Sequence, residues 1–272
     1  MVKDFFNYKG KVCVVTGGTS GIGAAGVNIL REMGADIYLL DIKQPSDSTL
    51  KYIPVDLGKK ESIDEAVAKL PRKIDKIFNF AGVAGTQYAG RTFTPAEVVT
   101  INFIGPRYLI ESLIPRMNEG GAIAIISSLG GEDWQKRLEL LKDFDSTPGF
   151  NEAVEWLNNH KEAYDGPICY LFSKEAIIFY VKRRSWELCE KKLRINTVAP
   201  GPTQTPMMKD FYALFSQEII DLALSPIKRY ATPEEQAQAM VFLNSDAASY
   251  ISGVDLIVDY GYWAGVQSGK KT

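Results

Sequence analysis

The chain has 272 residues, 46% of them hydrophobic and 24% charged, which suits a globular protein with a sizeable core and excludes a disordered or fibrous one. A formal net charge of −2 lacks the basic footprint of a general nucleic-acid binder. The cysteines, Cys13, Cys169 and Cys189, have no C-x-x-C spacing, which argues against a disulfide framework or zinc site.

From the N-terminus, residues 1–11 carry Lys3, Asp4, Lys9 and Lys11 and so lack a signal-peptide apolar centre, and no segment reaches the ~20 apolar residues of a membrane span. A soluble cytoplasmic protein is expected, without membrane, nucleic-acid or metal partners. Val12 to Val15 form a short apolar run that predicts a buried strand over 11–16. Ile22, Ala25, Gly26, Ile29, Leu30 and Met33 then recur at helical spacing, predicting a helix over 21–33. Between them lies Thr16-Gly17-Gly18-Thr19-Ser20-Gly21-Ile22-Gly23, a turn whose glycines let backbone N–H groups approach a diphosphate at the positive end of the helix. A second apolar strand, 35–41, ends on Asp41, about where a dinucleotide site places its ribose-binding carboxylate.

Further strands are expected at 51–56, 74–80, 121–127, 194–199 and 253–259, and further helices at 60–70, 95–117, 167–191 and 233–244. Thr94-Pro95 and Thr232-Pro233 mark helix starts by an N-cap followed by proline. The alternation predicts one α/β domain over 1–272: a doubly wound parallel sheet of about seven strands with helices on both faces and the ligand at the strand carboxyl ends. Two segments interrupt it, 129–166 with helical patterning of its own and the long connection 202–230; such loops are usually functional. The tail 267–272 is expected to fray. Lys182-Arg183-Arg184 and Lys191-Lys192, beside Glu187 and Glu190, read as a solvated helix face. The single histidine, His160, reads as an exposed helical residue rather than a base.

Tyr170 and Lys174 lie four apart on the helix 167–191 and share a face. The preceding strand ends on Ser127-Ser128 and the following one on Pro200-Gly201, bringing all of them to the edge that carries the cofactor turn. In their order, T-G-x-x-x-G-I-G at 16–23, Asp56, Asn79-Phe80-Ala81-Gly82, Asn102, Ser128, Tyr170 with Lys174, Pro200-Gly201 and Thr205 resemble the short-chain dehydrogenase/reductase family over roughly residues 8–262. Phe80 departs from the family's second asparagine.

The resemblance implies hydride transfer between an alcohol and a carbonyl, with Tyr170 as acid/base, Ser128 holding the substrate oxygen, Lys174 holding the nicotinamide ribose and Asn102 holding a water beside Lys174. A free tyrosine has a pKa near 10, so a neighbouring Lys174 ammonium is expected to lower it. The implied cofactor set is Gly17, Thr19, Ser20, Gly21, Ile22, Gly23, Asp41, Ile42, Asp56, Leu57, Asn79, Ala81, Gly82, Tyr170, Lys174, Pro200, Gly201, Thr203 and Thr205, with Val198 beside the nicotinamide. Asp41 points to NAD over NADP, because a carboxylate accepts ribose hydroxyls and repels a 2′-phosphate.

From Ser128 to Tyr170 the count is 42 (170 minus 128), against roughly a dozen in most such motifs. This insert resembles the subgroup typified by bacterial 3α-hydroxysteroid dehydrogenase/carbonyl reductases, which implies a hydroxysteroid or bile-acid-like substrate. Aromatic alcohols and general carbonyls are the alternative, and a non-catalytic dinucleotide-binding regulator a further one. A sugar epimerase or dehydratase fits less well, because those enzymes carry a longer C-terminal substrate domain. Met207, Met208 and Phe211 are candidates to contact a small apolar hydroxyl- or carbonyl-bearing substrate, although methionines and aromatics also fill cores. By crowding the helices 95–117 and 167–191, the insert favours a homodimer through the last strand and helix over a tetramer.

Overall fold

A computed structural model describes residues 4–85, 87–88 (backbone only), 91–224 and 227–270. Parts of three expectations therefore lie outside the described residues: positions 1–3 of the N-terminal segment, 225–226 of the long connection and 271–272 of the tail.

The elements run β1 (Val12–Thr16), α1 (Gly21–Glu32), β2 (Asp36–Asp41), β3 (Lys51–Pro54), α2 (Lys60–Lys69), β4 (Ile74–Asn79), a hairpin β5 (Gln87–Tyr88) and β6 (Arg91–Thr92), α3 (Pro95–Val99), α4 (Gly105–Leu113) and β7 (Met117–Ile126). Then follow α5 (Leu138–Asp145), α6 (Phe150–Asn159), α7 (Ile168–Leu188), β8 (Arg194–Pro200), α8 (Met208–Leu214), α9 (Gln217–Ala223), α10 (Pro233–Asn244), β9 (Asp255–Val258) and α11 (Tyr262–Gln267). Seven strands form one parallel sheet in the order β3-β2-β1-β4-β7-β8-β9.

Side chains alternate across the strands and feed two cores. Val14 and Ile77 point into the larger one, with Ile104, Leu109, Phe172 and Ile177 from α4, α7 and the segment before α4. Cys13, Val15 and Phe78 point to the opposite face, where Val27 and Leu30 of α1 meet Met240 and Val241 of α10. Apolar residues on both faces are what continuous Val/Ile/Leu strands require. Capping boxes at Thr94/Glu97 and Thr232/Glu235 start α3 and α10, each with proline in the first turn.

The helix expected over 95–117 is instead broken. Thr100–Ile104 winds as a π-helical turn between α3 and α4, and Ile114–Arg116 tightens into a 3₁₀ turn, so that β7 begins at Met117. Pro106 has no N–H to give the carbonyl four residues back, a site where the wider turn is tolerated.

The insert 129–166 becomes α5 and α6 with short 3₁₀ turns, and it extends the core. Phe144 stacks on Phe172 and meets Trp156, and Phe103 from the π turn, at a tilt. Asp145 pairs with Arg107 of α4 and Arg183 of α7, so the insert covers the outer faces of these two helices. His160 is half-buried at the end of α6, stacked on Trp156 at 4.0 Å, which corrects the expectation of an exposed residue.

Candidate active site

The carboxyl ends of β1, β4, β7 and β8 open on one cleft of about 900 Å³, where strand order reverses between β1 and β4. At its floor, Gly17 has φ +71°, and a Cβ there would lie 2.5 Å from the Ala81 Cα. The turn after β1 therefore rests directly on the loop after β4, which only glycine allows. Gly21, Ile22 and Gly23 open α1 against the cleft, and their N–H groups lack intrahelical acceptors. A cradle of glycine backbone and free N–H groups fits a diphosphate.

At the end of β2, the Asp41 carboxylate accepts the Thr19 N–H at 3.1 Å and its hydroxyl at 2.8 Å, while the Lys43 N–H binds the other oxygen at 3.0 Å. These bonds fix the carboxylate facing the cleft. Ile42, Asp56 and Leu57 continue the wall, with Asp56 pinned by Gly58 N–H and by the Ser62 hydroxyl on its own N–H. Ala81, Gly82, Pro200, Gly201, Thr203 and Thr205 line the opposite part.

Two members of the expected cofactor set lie off this wall. Asn79 is buried beneath it, its Oδ1 accepting the Thr16 hydroxyl at 2.7 Å. Val198 is packed in the core around α1 and α10, because alternation along β8 turns it from the cleft. Phe80 stacks on Phe78 and fills the space beside Gly26, a packing role in place of an amide.

Tyr170 and Lys174 stand one turn apart on α7, the Lys174 Nζ 5.7 Å from the Tyr170 ring centroid. Lys174 donates to the Ile126 carbonyl at the end of β7 at 3.1 Å. Ser128 caps the turn that follows, accepting the Gly130 N–H at 3.1 Å, and its hydroxyl stands beside the Tyr170 phenol, where it favours the phenolate. The turn lies so close to α7 that a Cβ on Gly131 would meet the Lys174 carbonyl carbon at 2.8 Å. That contact sets Ser128 beside Tyr170 across 42 residues of chain (170 minus 128). Ser127 points elsewhere, its hydroxyl on Val198 and Asp255.

Asn102 sits in the π turn, wholly buried and outside the cleft wall. Its amide clasps Val83 through N–H and carbonyl at 2.8 and 3.0 Å and donates to Ser173 at 3.1 Å, tying the loop after β4 to α7.

The electrostatics depart from the expectation. Burial pushes the Tyr170 phenol up to about 12, with the Ser128 hydroxyl opposing it. Burial likewise pulls the Lys174 ammonium down to about 8, opposed by the Asp255 carboxylate. Desolvation of each charged form is the largest influence on both groups in the free protein.

Phe211 and Phe215 stack on one another at 6.2 Å and both meet the Tyr170 ring edge-on, at 5.4 and 6.5 Å. Met207 and Met208 line the same wall. Arg91, Phe93, Phe150, Val154, Tyr262 and Trp263 also line the cleft, and the sequence reading missed them. They come from the hairpin, the insert and the C-terminal helix, and no motif marks their approach.

Such an edge suits oxidoreductases that move a hydride and a proton between alcohols and carbonyls. Residues 11–138 match the short chain dehydrogenase family, and residues 158–263 match the family described as enoyl-(acyl carrier protein) reductase. The chain belongs to the short-chain dehydrogenase/reductase family. It is similar to a coniferyl-alcohol dehydrogenase of Pseudomonas sp. (strain HR199 / DSM 7063), 36% identical over 92% of this chain and 96% of that protein. A 3-alpha-hydroxysteroid dehydrogenase/carbonyl reductase of Comamonas testosteroni is 28% identical over 92% and 95%. The crystal structure of the 3-alpha-hydroxysteroid dehydrogenase from Pseudomonas sp. B-0831 complexed with NADH superposes with a TM-score of 0.78 at 25% identity, covering 96% of this chain and all of that one.

Proposed function

We propose that this protein is an NAD-dependent alcohol dehydrogenase whose substrate carries its hydroxyl or carbonyl on an aromatic framework. The observation that carries the reading is the wall of Phe211 and Phe215 set edge-on to Tyr170, since ring–ring contacts favour an aryl group beyond the area it buries. The similarity to a coniferyl-alcohol dehydrogenase supports it. A hydroxysteroid is the second reading, favoured by the apolar cleft and by the structural likeness to a 3-alpha-hydroxysteroid dehydrogenase.

Asp41 supports NAD over NADP, since its carboxylate offers acceptors to ribose hydroxyls and repels a 2′-phosphate. Bound nicotinamide supplies or takes the hydride. Tyr170 takes the hydroxyl proton in oxidation and returns it in reduction; Ser128 holds the substrate oxygen at Tyr170, an orientation effect. The Lys174 ammonium, 5.7 Å from the ring, stabilises the phenolate and binds the nicotinamide ribose. Asn102 positions Val83 and Ser173 around this centre. The segment 202–224, with Met207, Met208 and Phe211, folds over the substrate.

We place the protein in a reducing compartment, the cytoplasm, on its free cysteines. Among the described residues no helix is long and apolar enough to cross a membrane. The homodimer reading keeps its support, because the insert covers α4 and α7 while the edge strand β9 stays half-exposed.

The deciding assay follows NADH formation with cinnamyl and benzylic alcohols beside 3α-, 3β-, 7α- and 12α-hydroxy bile acids, with Tyr170→Phe as control. Turnover of aryl alcohols that Tyr170→Phe abolishes is the expected result. Turnover confined to bile acids overturns the aryl reading for the steroid one, and NAD binding without any turnover overturns both.

A further inference from the structure

Behind the catalytic residues lies a carboxyl pair that the reaction as described does not use. Asp255, on the edge strand β9, accepts the Ser127 hydroxyl at 2.6 Å. Ser127 is buried between two groups of the site: Ile126, whose carbonyl holds Lys174, and Ser128, which meets Tyr170. The other Asp255 oxygen, Oδ2, is buried without a partner of its own, and so is Glu132 Oε1. Glu132 follows the Ser128 turn and stands within hydrogen-bond reach of Asp255. Two half-buried carboxylates side by side repel, whereas one shared proton satisfies both orphaned oxygens.

We propose that Asp255 is a positioning residue for the Ser128–Tyr170–Lys174 site, held as a carboxylate by a hydrogen bond from the carboxylic acid of Glu132. Its charge favours the Lys174 ammonium, and its bond to Ser127 fixes the end of β7. The charged groups facing the pair are Lys174 and Lys182 of α7 and Asp133 of the adjoining turn; Lys182 opposes and Asp133 reinforces protonation of Glu132. Burial is the largest influence on Glu132, followed by Asp255, and together they raise it to about 8. The proton therefore stays on Glu132 at neutral pH and leaves as pH rises through about 8. Glutamine at 132 donates the same hydrogen bond at every pH.

The proposal rests on the oxidoreductase reading only for its activity arm, so the first test uses the protein without cofactor. Infrared difference spectra of wild type minus Glu132→Gln at pH 7 are expected to show a protonated carboxyl C=O band. The wild type is also expected to lose stability relative to Glu132→Gln as pH rises from 4.5 through about 8, because its folded state binds the extra proton in that window. No carboxylic band and parallel stability curves overturn the proposal, whatever the enzyme turns over. In the activity arm, Asp255→Asn lowers kcat about tenfold, the size expected for losing a charge-assisted bond, with substrate KM within about twofold. Its alkaline limb moves to lower pH as Lys174 loses its supporting charge. Glu132→Gln keeps the wild-type kcat at pH 7. An Asp255→Asn enzyme with unchanged kcat and pH profile overturns the positioning role, and if that variant does not fold, Ser127→Ala, which removes the bond and keeps the Asp255 charge, carries the expectation for kcat alone.

Discussion

At the scale of single residues, the site trades stability for reactivity. Lys174 is buried with its ammonium weakened to about 8 from 10.5, so the folded state holds fewer protons than the unfolded chain between those values. The cost is fully present below pH 8 and fades as pH rises toward 10.5. Lys174→Met is therefore expected to melt no lower than wild type at pH 7 while losing turnover, with any gain shrinking above pH 9; calorimetry across pH checks it. Tyr170 has the opposite sign: held up to about 12, its neutral form favours folding, a contribution lost as pH climbs from 10 through 12. For catalysis the same shift makes alcohol oxidation rise with pH into the alkaline range and carbonyl reduction fall. Tyr170→Phe is expected to cut kcat by about 10²–10⁴ with NADH affinity, read by fluorescence, unchanged. Asp41→Ala removes the charged acceptor and is expected to weaken NAD about 10–100-fold while narrowing the preference against NADP, measured by KM for each cofactor.

Elements bring these residues together by close approach. Gly105 opens α4 with no space for a side chain, since a Cβ there would lie 2.0 Å from the Leu57 carbonyl. Leu57 belongs to the cleft wall, so Gly105→Ala is expected to cost about 1–3 kcal/mol and to raise KM for NAD together. Denaturant unfolding and cofactor titration read the two effects. The strands, α1, α2 and α10 were legible from residue patterns because apolar periodicity and caps are local. The π turn was not: it keeps helical composition through 95–117, and only the packing of Asn102 on Val83 and Ser173 reveals what the wider turn achieves.

For the molecule as a whole, the insert is a second layer of core around Phe144 rather than a loop. Phe144→Ala is expected to cost about 3–5 kcal/mol and leave substrate KM unchanged, since neither it nor its partners Phe103, Trp156 and Phe172 line the cleft. Phe215→Ala is expected to do the reverse, raising KM for aryl substrates at little cost in stability, because one face of the ring is spent on the cleft.

By itself the sequence determined the doubly wound sheet and the glycine turn, and it marked Asp41, Ser128, Tyr170 and Lys174 as the residues on which the proposed function rests, because short-range periodicity, turn chemistry and motif order are written in neighbouring residues. Tertiary structure alone decided the rest. It buried Asn79 and Val198 away from the wall, brought Phe150 and Trp263 to it, and raised Tyr170 where a neighbouring charge alone would lower it. Burial, close packing and the meeting of Ser127 with Asp255 across 128 residues depend on where distant segments come to lie, and no local pattern encodes that.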